Sequence, residues 1–389
     1  MVYAALIFRW TGVLPVVLPV ILQSVKSCLL ILVLPLLIVG LQAHAEECST
    51  PQFGVNNVSI DQLADTASEA RQLGTRAAAE TAFTVVLDRL LNDPEKISQF
   101  LDRHDLDQFS DFVHITEENS LEGRYIALLD FCFDADRLRA SFRKDGLRWT
   151  ELRSPPILVV PVWQGPDGAR AWQNDNSWLS GWREAVETSN GLVNFVLLEP
   201  TIINERSLRA EDLARANPVT LSLATTLAEA EQTMLVIARL DYDGSSPVLT
   251  VDGQLFSRDG ELITTLAKMV DLPVSSDLVG QLAVARSQIL QEMQASWYAA
   301  NAISGNDTQK MTLILPINSL EEWASRLAVF DQIAVFNGYR VRKLDLTSGV
   351  VTVNVEGTIA AVKNALLAQG LSLVITEDGN QSVIPLMGN

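Results

Sequence analysis

Apolar residues recur at strand and helix spacings after residue 45, and they divide the chain into three consecutive segments. In the first, residues 46–153, the pattern predicts a short strand, a long helix over 65–91, a second helix, two strands and a third helix. A last strand from Trp149 to Arg153 is predicted to close the sheet. This order is typical of a split β-α-β unit with one extra helix.

The second segment, residues 154–305, begins at the linker Ser154-Pro155-Pro156 and contains continuous apolar runs. Such runs are typical of strands that are buried on both faces, so they predict a central sheet covered by helices. We therefore expect a three-layer α/β unit. Its predicted strands are 157–162, 192–198, 234–240, 247–256 and 261–266, and its predicted helices are 177–188, 204–230 with an interruption at Pro218, and 278–300.

The third segment, residues 306–389, shows the order β-α-β-β-α-β, with its last strand from Leu371 to Thr376. Ser319 and Glu322 form a capping box at the start of its first helix. The order predicts a ferredoxin-like unit, and its likeness to the first segment is compatible with an old duplication. The whole chain is predicted to be a multi-domain α+β protein, with an N-terminal split-βαβ-like unit, a central three-layer α/β unit and a C-terminal ferredoxin-like unit.

Residues 1–45 contain no acidic side chain, two basic ones, and an apolar run that ends at the small residues Ala43 and Ala45. This order predicts a secretory signal peptide and a periplasmic location. Lys26 separates the run from an earlier one, so neither reaches the roughly 18 residues that a spanning helix needs. Two alternatives stay open: an inner-membrane anchor through residues 10–41, and a start site placed too far upstream.

The chain after residue 45 is strongly acidic. It keeps all 47 acidic residues and 27 of the 29 basic ones, since Arg9 and Lys26 lie in the leader, so its net charge is about −20 (27 against 47). Such a surface repels phosphate backbones and anionic lipid, which excludes nucleic acid as a partner. The same charge favours a basic surface on a protein partner.

Cys48 and Cys132 are the two cysteines that remain after residue 45. In an oxidising periplasm such a pair predicts one disulfide, which would tie the N-terminus of the exported chain to the strand near residue 130. The alternative is that Cys132 is a small buried apolar side chain. Their spacing is not that of a redox or metal motif.

No motif for catalysis, metal binding or a cofactor stands out. His104 and His114 lie among aspartates, and we interpret this stretch as a solvated acidic loop rather than a metal site. Ser141 and Lys144 match S-x-x-K, but the companion motifs of acyl-serine enzymes are absent. We therefore expect no catalytic residue, no metal and no cofactor.

Tryptophans cluster after the first apolar run of the second segment, interleaved with glycine, asparagine and aspartate. Loops after such strands are where α/β units bind ligands, so an exposed pair at Trp163 and Trp172 would offer a surface for a glycan or peptide. The alternative is that Trp178 and Trp182 simply pack a helix onto the sheet. The candidate ligand-binding residues are Trp163, Trp172, Asn174, Asn176 and Trp178.

Short motifs in residues 46–200 carry a family resemblance. They are Phe53-Gly54-Val55-Asn56-Asn57-Val58, Leu87-Asp88-Arg89, Asp111-Phe112-Val113, Phe133-Asp134, Gly146-Leu147, Trp149, the run 157–163, Trp172, Asn176-Ser177-Trp178 and Gly181-Trp182. In these motifs the chain resembles domain-of-unknown-function family 2066, a group of uncharacterised bacterial envelope-type proteins. The family usually has Arg-Pro directly before the first strand of the second segment, and this chain departs from it with Arg153-Ser154-Pro155. The resemblance implies no known activity.

The leading hypothesis is an exported, non-catalytic protein that serves as a binding or assembly module of the bacterial cell envelope, with an envelope protein as its partner. Sheet edges and helix faces of small split-βαβ units are suited to such contacts. The alternative is a glycan- or peptide-binding protein, or an unrecognised hydrolase, that uses residues 163–182. The sequence does not indicate an oligomeric state.

Overall fold

A computed structural model describes residues 48–386, apart from 174–175, 244–245, 267–271, 274–276, 307 and 377–378. Helices and several mixed and antiparallel sheets alternate along this part of the chain, so the predicted α+β, multi-domain class is confirmed. The predicted anchor at 10–41 lies outside the described residues.

The first segment folds around a three-stranded antiparallel sheet. Its elements are β1 (Gly54–Leu63), α1 (Ala67–Leu91), α2 (Pro94–Arg103), β2 (Ser110–Leu121), β3 (Arg124–Phe133), α3 (Ala135–Lys144) and β4 (Arg148–Trp149). The strand order is β1-β3-β2, so β1 and β2 run parallel with β3 inserted antiparallel between them. This is the split β-α-β arrangement.

Helix α1 begins where the Thr66 side chain accepts a hydrogen bond from the Glu69 amide, and it ends at Asn92, which has a φ of 47°. Its buried face packs on the sheet closely enough that a β-carbon at Gly74 would meet the Ile60 side chain at 2.6 Å. A glycine at this position therefore sets the distance between helix and sheet.

The second segment is built on a seven-stranded sheet. Its strands are β5 (Ile157–Gly165), β6 (Gly168–Arg170), β7 (Phe195–Val196), β8 (Gln232–Asp243), β9 (Ser246–Ser257), β10 (Leu262–Thr265) and β11 (Leu272–Pro273). Its helices are α4 (Ser177–Glu187), α5 (Ile202–Ser207), α6 (Ala210–Ala214), α7 (Pro218–Leu227) and α8 (Leu278–Asn301). The main strand order is β10-β9-β8-β5-β6, with β7 on β5 and β11 on β9.

Successive side chains of β5 enter two different cores. Ile157 and Val159 join the core that includes α4 and α8, while Leu158 and Val160 join the core that includes α6 and α7. Because neighbouring residues of a strand point to opposite faces, this alternation places helices on both sides of the sheet. The continuous apolar run at 157–162 is thus explained by burial on both faces.

The third segment contains one strand more than the sequence pattern predicts. After the short strand β12 (Ile303–Ser304), which precedes it, its elements are β13 (Thr308–Pro316), α9 (Leu320–Gln332), β14 (Phe336–Leu344), β15 (Ser348–Glu356), α10 (Ile359–Ala368), β16 (Leu371–Ile375) and β17 (Gln381–Pro385). The strand order is β14-β15-β13-β17-β16. The prediction that Leu371 to Thr376 is the last strand is wrong, because β17 follows it and pairs parallel with β13.

The first and third segments share one continuous hydrophobic core, which includes Trp149, Ile303 and Phe330. Strand β4 pairs with β12, with Trp149 opposite Ile303. The prediction that the strand at Trp149 closes the sheet of the first segment is therefore wrong. The partner of β4 is not a strand of the first segment. It is β12, the short strand that follows α8.

Among the described residues, no helix combines the length and the apolarity that crossing a bilayer requires.

Candidate functional site

The tryptophans after β5 are mostly buried. Trp172 is 7% exposed, and its indole N–H donates to the Leu208 carbonyl at 2.8 Å. Trp178 is 1% exposed and donates to the Val236 carbonyl at 3.1 Å. The prediction that Trp172 is exposed is wrong, because the α5–α6 region covers it and satisfies its only polar group.

The remaining candidates of this region are structural or half-buried. Asn176 is the N-cap of α4, where its side chain accepts from the amides of Trp178 and Leu179. Trp163 is half-buried and packs against the sheet core. Asn174 lies outside the described residues. Trp172 and Trp178 therefore offer no exposed ring face on which a sugar could stack.

The stretch from His104 to His114 follows the end of α2 and leads through a short 3-10 turn at Leu106–Gln108 into β2. Its acidic side chains Asp105, Asp107 and Asp111 are exposed, as the interpretation as a solvated acidic stretch expects. The His104 ring lies on Phe100, and its Nε2 is 2.9 Å from the Asp145 carboxylate. No group of side chains suited to holding a metal ion occurs among the described residues.

Cys48 and Cys132 are joined by a disulfide, with their Cα atoms 5.5 Å apart. The bond ties the start of the described chain to β3, opposite Gly54 of β1. Cys132 is 3% exposed, so the sulfur bridge belongs to the interior of the first segment.

Strand β2 is the most exposed long strand in the first segment. It is twelve residues long, ten of them exposed, and it pairs only with β3, so one edge has no strand partner among the described residues. The pairing with β3 shifts register between Ile115 and Glu117, which leaves Phe112–Ile115 as a regular run. The opposite edge strand, β1, has an irregularity at Asn57, whose backbone amide donates to the Asp130 side chain. Such an irregularity makes a strand edge less suited to pairing with another strand.

A groove of about 500 Å³ lies between α1 and β2, and we call it the β2 groove. The helix leaves part of the sheet uncovered there, so Val113 is 40% exposed and Ile115, two residues along the strand, is 37% exposed. Its lining residues are Ser68, Arg71, Gln72, Thr75, Arg76, Ala79, Leu106, Asp107, Ser110, Val113, Phe131 and Phe133. The floor is apolar and the helical wall is polar.

The two arginines of the β2 groove are already neutralised. Arg76 donates to Glu80 at 2.8 Å and to Asp107 at 2.6 Å, and its hydrogen bond to Glu80 is the main cause that raises the pKa of Arg76. Arg71 lies 3.5 Å from Glu118, which also accepts from the Tyr125 hydroxyl. Burial raises the pKa of Tyr125, and the hydrogen bond with Glu118 raises it further.

Acidic side chains dominate the open edge of β2. Asp111, Glu117 and Glu122 are exposed and have no ion-pair partner among the described residues. The electrostatic potential of this edge is therefore negative, which matches the net charge of the chain. The sequence signal that could have identified this site is the polar run 116–120, which leaves the second half of the β2 strand without an apolar face.

No protein-family model and no curated protein matches this sequence. Among solved structures, the crystal structure of lipoprotein GNA1162 from Neisseria meningitidis aligns with 15% sequence identity and a TM-score of 0.22, covering 35% of this chain and 96% of that chain. A similarity of this strength assigns neither a fold nor a function to the chain.

Proposed function

We propose that this protein is an exported, non-catalytic module of the bacterial cell envelope that binds an extended segment of a partner protein by strand addition at β2. The observation that supports the proposal is the unpaired edge of β2 beside the β2 groove. In strand addition the main chain of the partner pairs with a sheet edge, while alternate side chains enter pockets beside it.

The envelope location rests on the leader and the cysteines. Residues 1–45 have the order of a secretory signal, and Cys48 lies three residues beyond them. Disulfides persist in oxidising compartments, and this one is internal to the fold. Membership of domain-of-unknown-function family 2066 stays a prediction that is compatible with this location.

The proposed occupant is a basic extended segment of another protein. Val113 and Ile115 offer apolar contacts on one face of β2, so we expect apolar side chains at alternate positions of the partner. Asp111, Glu117 and Glu122 flank the edge without partners, so lysine or arginine in the segment would complement them. A second copy of this chain is disfavoured, because two such edges would bring like charges together.

The alternative functions at residues 163–182 have less support. Glycan binding there requires exposed indole faces, and Trp172 and Trp178 are 7% and 1% exposed.

The proposal is tested by site-specific photo-crosslinking in growing cells of the source bacterium. A benzophenone amino acid replaces Val113 in the full chain, and the crosslinked product is sequenced by mass spectrometry. We expect one dominant partner, joined through a segment that alternates apolar residues and contains lysine or arginine. Adding Ile115→Lys to the same chain is expected to reduce that product about tenfold, since the substitution places a charge on the face of β2 that Val113 shares, beside the groove.

Two matched positions control for exposure alone. Leu63 at the β1 edge and Leu346 after β14 are 68% and 93% exposed, and crosslinkers there are expected not to capture the same partner. Equal capture from all three positions contradicts the proposal. A product made of two copies of this chain overturns the proposed occupant, and no product from Val113 overturns the site.

A further inference from the structure

Helix α7 is apolar on the face that meets solvent as well as on the face that meets the sheet. Leu221 and Ala224 belong to the core between the helix and the sheet. On the outer face, Val219, Leu223 and Leu227 are all exposed, Val219 to 79%. A surface helix of a globular protein normally carries polar or charged side chains on its outer face. The outer face of α7 is therefore typical of a surface that another molecule covers.

The three exposed aliphatic residues form one continuous ridge, which we call the α7 ridge. Val219, Leu223 and Leu227 are spaced four residues apart, so their side chains lie one above another on the same side of the helix. In the commonest class of helix pair, ridges with this spacing pack into the grooves of a second helix. The α7 ridge is thus suited to contact with another helix.

The α7 ridge can lose its water without leaving an exposed hydroxyl unsatisfied. Thr226 is the only polar residue among the exposed positions of α7, and its hydroxyl donates to the Ser222 carbonyl at 2.9 Å. At the start of the helix, the Asn217 side chain accepts from the amides of Val219 and Thr220. Burial of a polar group is costly when its hydrogen bond is lost, and here the bonds are internal to the helix. Covering the ridge would therefore remove mainly apolar surface from water.

The charges around the α7 ridge favour a second copy of this chain as the molecule that covers it. Residues 213–228 include no acidic side chain, although the chain has 47. Their one charged side chain, Arg215, donates to Asp212 at 2.8 Å. Two copies can therefore meet here without opposing carboxylates, unlike two β2 edges, and a basic partner surface would find no carboxylate to bind. Interfaces between copies of one chain are typically more apolar than other interfaces, and charged residues are depleted at interface cores.

Glu229 determines the relative direction of the two helices. It is exposed, it follows the C-cap residue Ala228, and it has no ion-pair partner among the residues that the structure describes. In a parallel helix pair the two Glu229 carboxylates would lie side by side. In an antiparallel pair each carboxylate would lie near the N-terminal end of the other helix, where the helix dipole favours a negative charge. The antiparallel order also brings Leu223, at the centre of the ridge, against its own counterpart.

We propose that the α7 ridge is the contact between two copies of this chain, which associate through antiparallel α7 helices about a two-fold axis. The ridge is apolar, its surroundings lack acidic side chains, and it is complementary to itself in this direction. The contact lies on the sheet face that α6 and α7 cover in the second segment. It does not use the β2 groove, so it is independent of the proposed function.

Analytical ultracentrifugation of the exported protein tests the contact. We expect the weight-average mass to rise from one copy towards two between about 1 and 100 µM. Leu223→Asp places a carboxylate at the centre of the ridge and should raise the dissociation constant at least about tenfold. A chain that stays a single copy at every concentration overturns the proposal.

Val284→Asp is the matched control for this variant. Val284 is 47% exposed on α8, against 40% for Leu223, and α8 packs on the opposite face of the sheet. The substitution should leave the dissociation constant within about twofold, and urea denaturation checks that both variants fold. Equal weakening by both variants overturns the assignment to α7. A single-copy protein that floats with phosphatidylethanolamine vesicles, and loses this with Leu223→Asp, assigns the ridge to lipid and also overturns the proposal.

Disulfide trapping tests the direction of the helices. Cys48 and Cys132 are bonded to each other, so an added cysteine is the one free thiol of the exported chain. Chains with Val219→Cys, mixed with chains with Leu227→Cys, should crosslink under mild oxidation, because a disulfide requires two Cα atoms within about 7 Å. Either variant alone should crosslink less than the mixture. Stronger crosslinking of a variant with itself overturns the antiparallel arrangement.

Discussion

Nε of Arg143 donates to Oε2 of Glu356 at 2.9 Å, across 213 residues of sequence. Glu356 is 1% exposed, and its other oxygen accepts from Asn337 at 2.5 Å. The guanidinium of Arg143 also lies over the Trp149 ring, 5.3 Å from its centre. The first and third segments are thus joined by a charge pair whose carboxylate is buried, and β4 also pairs with β12, which directly precedes the third segment.

Removing one partner of this pair should be costly. Arg143→Met leaves the Glu356 carboxylate buried without its cation, so we expect the free energy of unfolding to fall by about 3 kcal/mol. Glu356→Gln should cost less, because the amide keeps a polar contact without a buried charge. Urea denaturation measures both. Arg340→Met, at an exposed position of β14, is the control and should change stability by less than about 0.5 kcal/mol.

The disulfide should contribute substantially to stability, because it closes a long loop. Cys48 and Cys132 are 84 residues apart, and a cross-link of that length restricts the unfolded chain. We expect Cys48→Ala with Cys132→Ala to lower the free energy of unfolding by about 3–4 kcal/mol. Reductant should lower the stability of the unaltered protein by a similar amount and leave the double variant unchanged. Equal sensitivity of both proteins to reductant would contradict this account.

Gly349 is required by the close approach of Trp323. A β-carbon at this position of β15 would overlap the indole ring, which is 8% exposed and has little room to move. Gly349→Ala should therefore destabilise the protein by about 1–3 kcal/mol. In a Trp323→Phe background the same change should cost at least about 0.5 kcal/mol less, because the smaller ring leaves space. Identical costs in both backgrounds would exclude this steric explanation.

Asp345 should contribute to acid sensitivity. Hydrogen bonds from Lys343 and from the amides of Thr347 and Ser348 lower the pKa of its carboxyl below the ordinary 3.8. A lowered pKa in the folded state means that the stabilisation is present above pH 3.8 and is lost as pH falls below that value. Asp345→Asn should therefore show a shallower loss of stability between pH 4 and pH 2. Asp331→Asn is the matched control, and an equally shallow curve for it would refute the assignment.

Local patterns predicted most of the elements, because their causes are local. The run 157–162 is buried on both faces, and the helix over 65–91 has both an apolar spacing and a capping threonine. The burial of Trp172 could not be read in the same way, since it depends on the Leu208 carbonyl, 36 residues away. The local sequence around an aromatic residue that follows a strand is the same whether or not a later helix covers that residue, so it does not predict burial.

The pairing of strands that lie far apart in the sequence could not be predicted from the sequence pattern either. Trp149 lies opposite Ile303, and β17 inserts between β13 and β16, and neither contact leaves a periodic trace in the chain. The β2 groove was missed for a related reason. Whether a strand edge is open depends on which other elements cover it, and only the folded arrangement of α1 over β3 leaves Val113 accessible.

Strand addition at β2 is the central claim, and amide hydrogen exchange tests it most directly. Exchange is measured for the protein alone and with the partner segment that the Val113 crosslink identifies. We expect slower exchange within Phe112–Ile115, where the open edge gains main-chain partners, and unchanged exchange at the exposed strands β10 and β14. Protection centred on another strand, or binding without protection of β2, would contradict the claim.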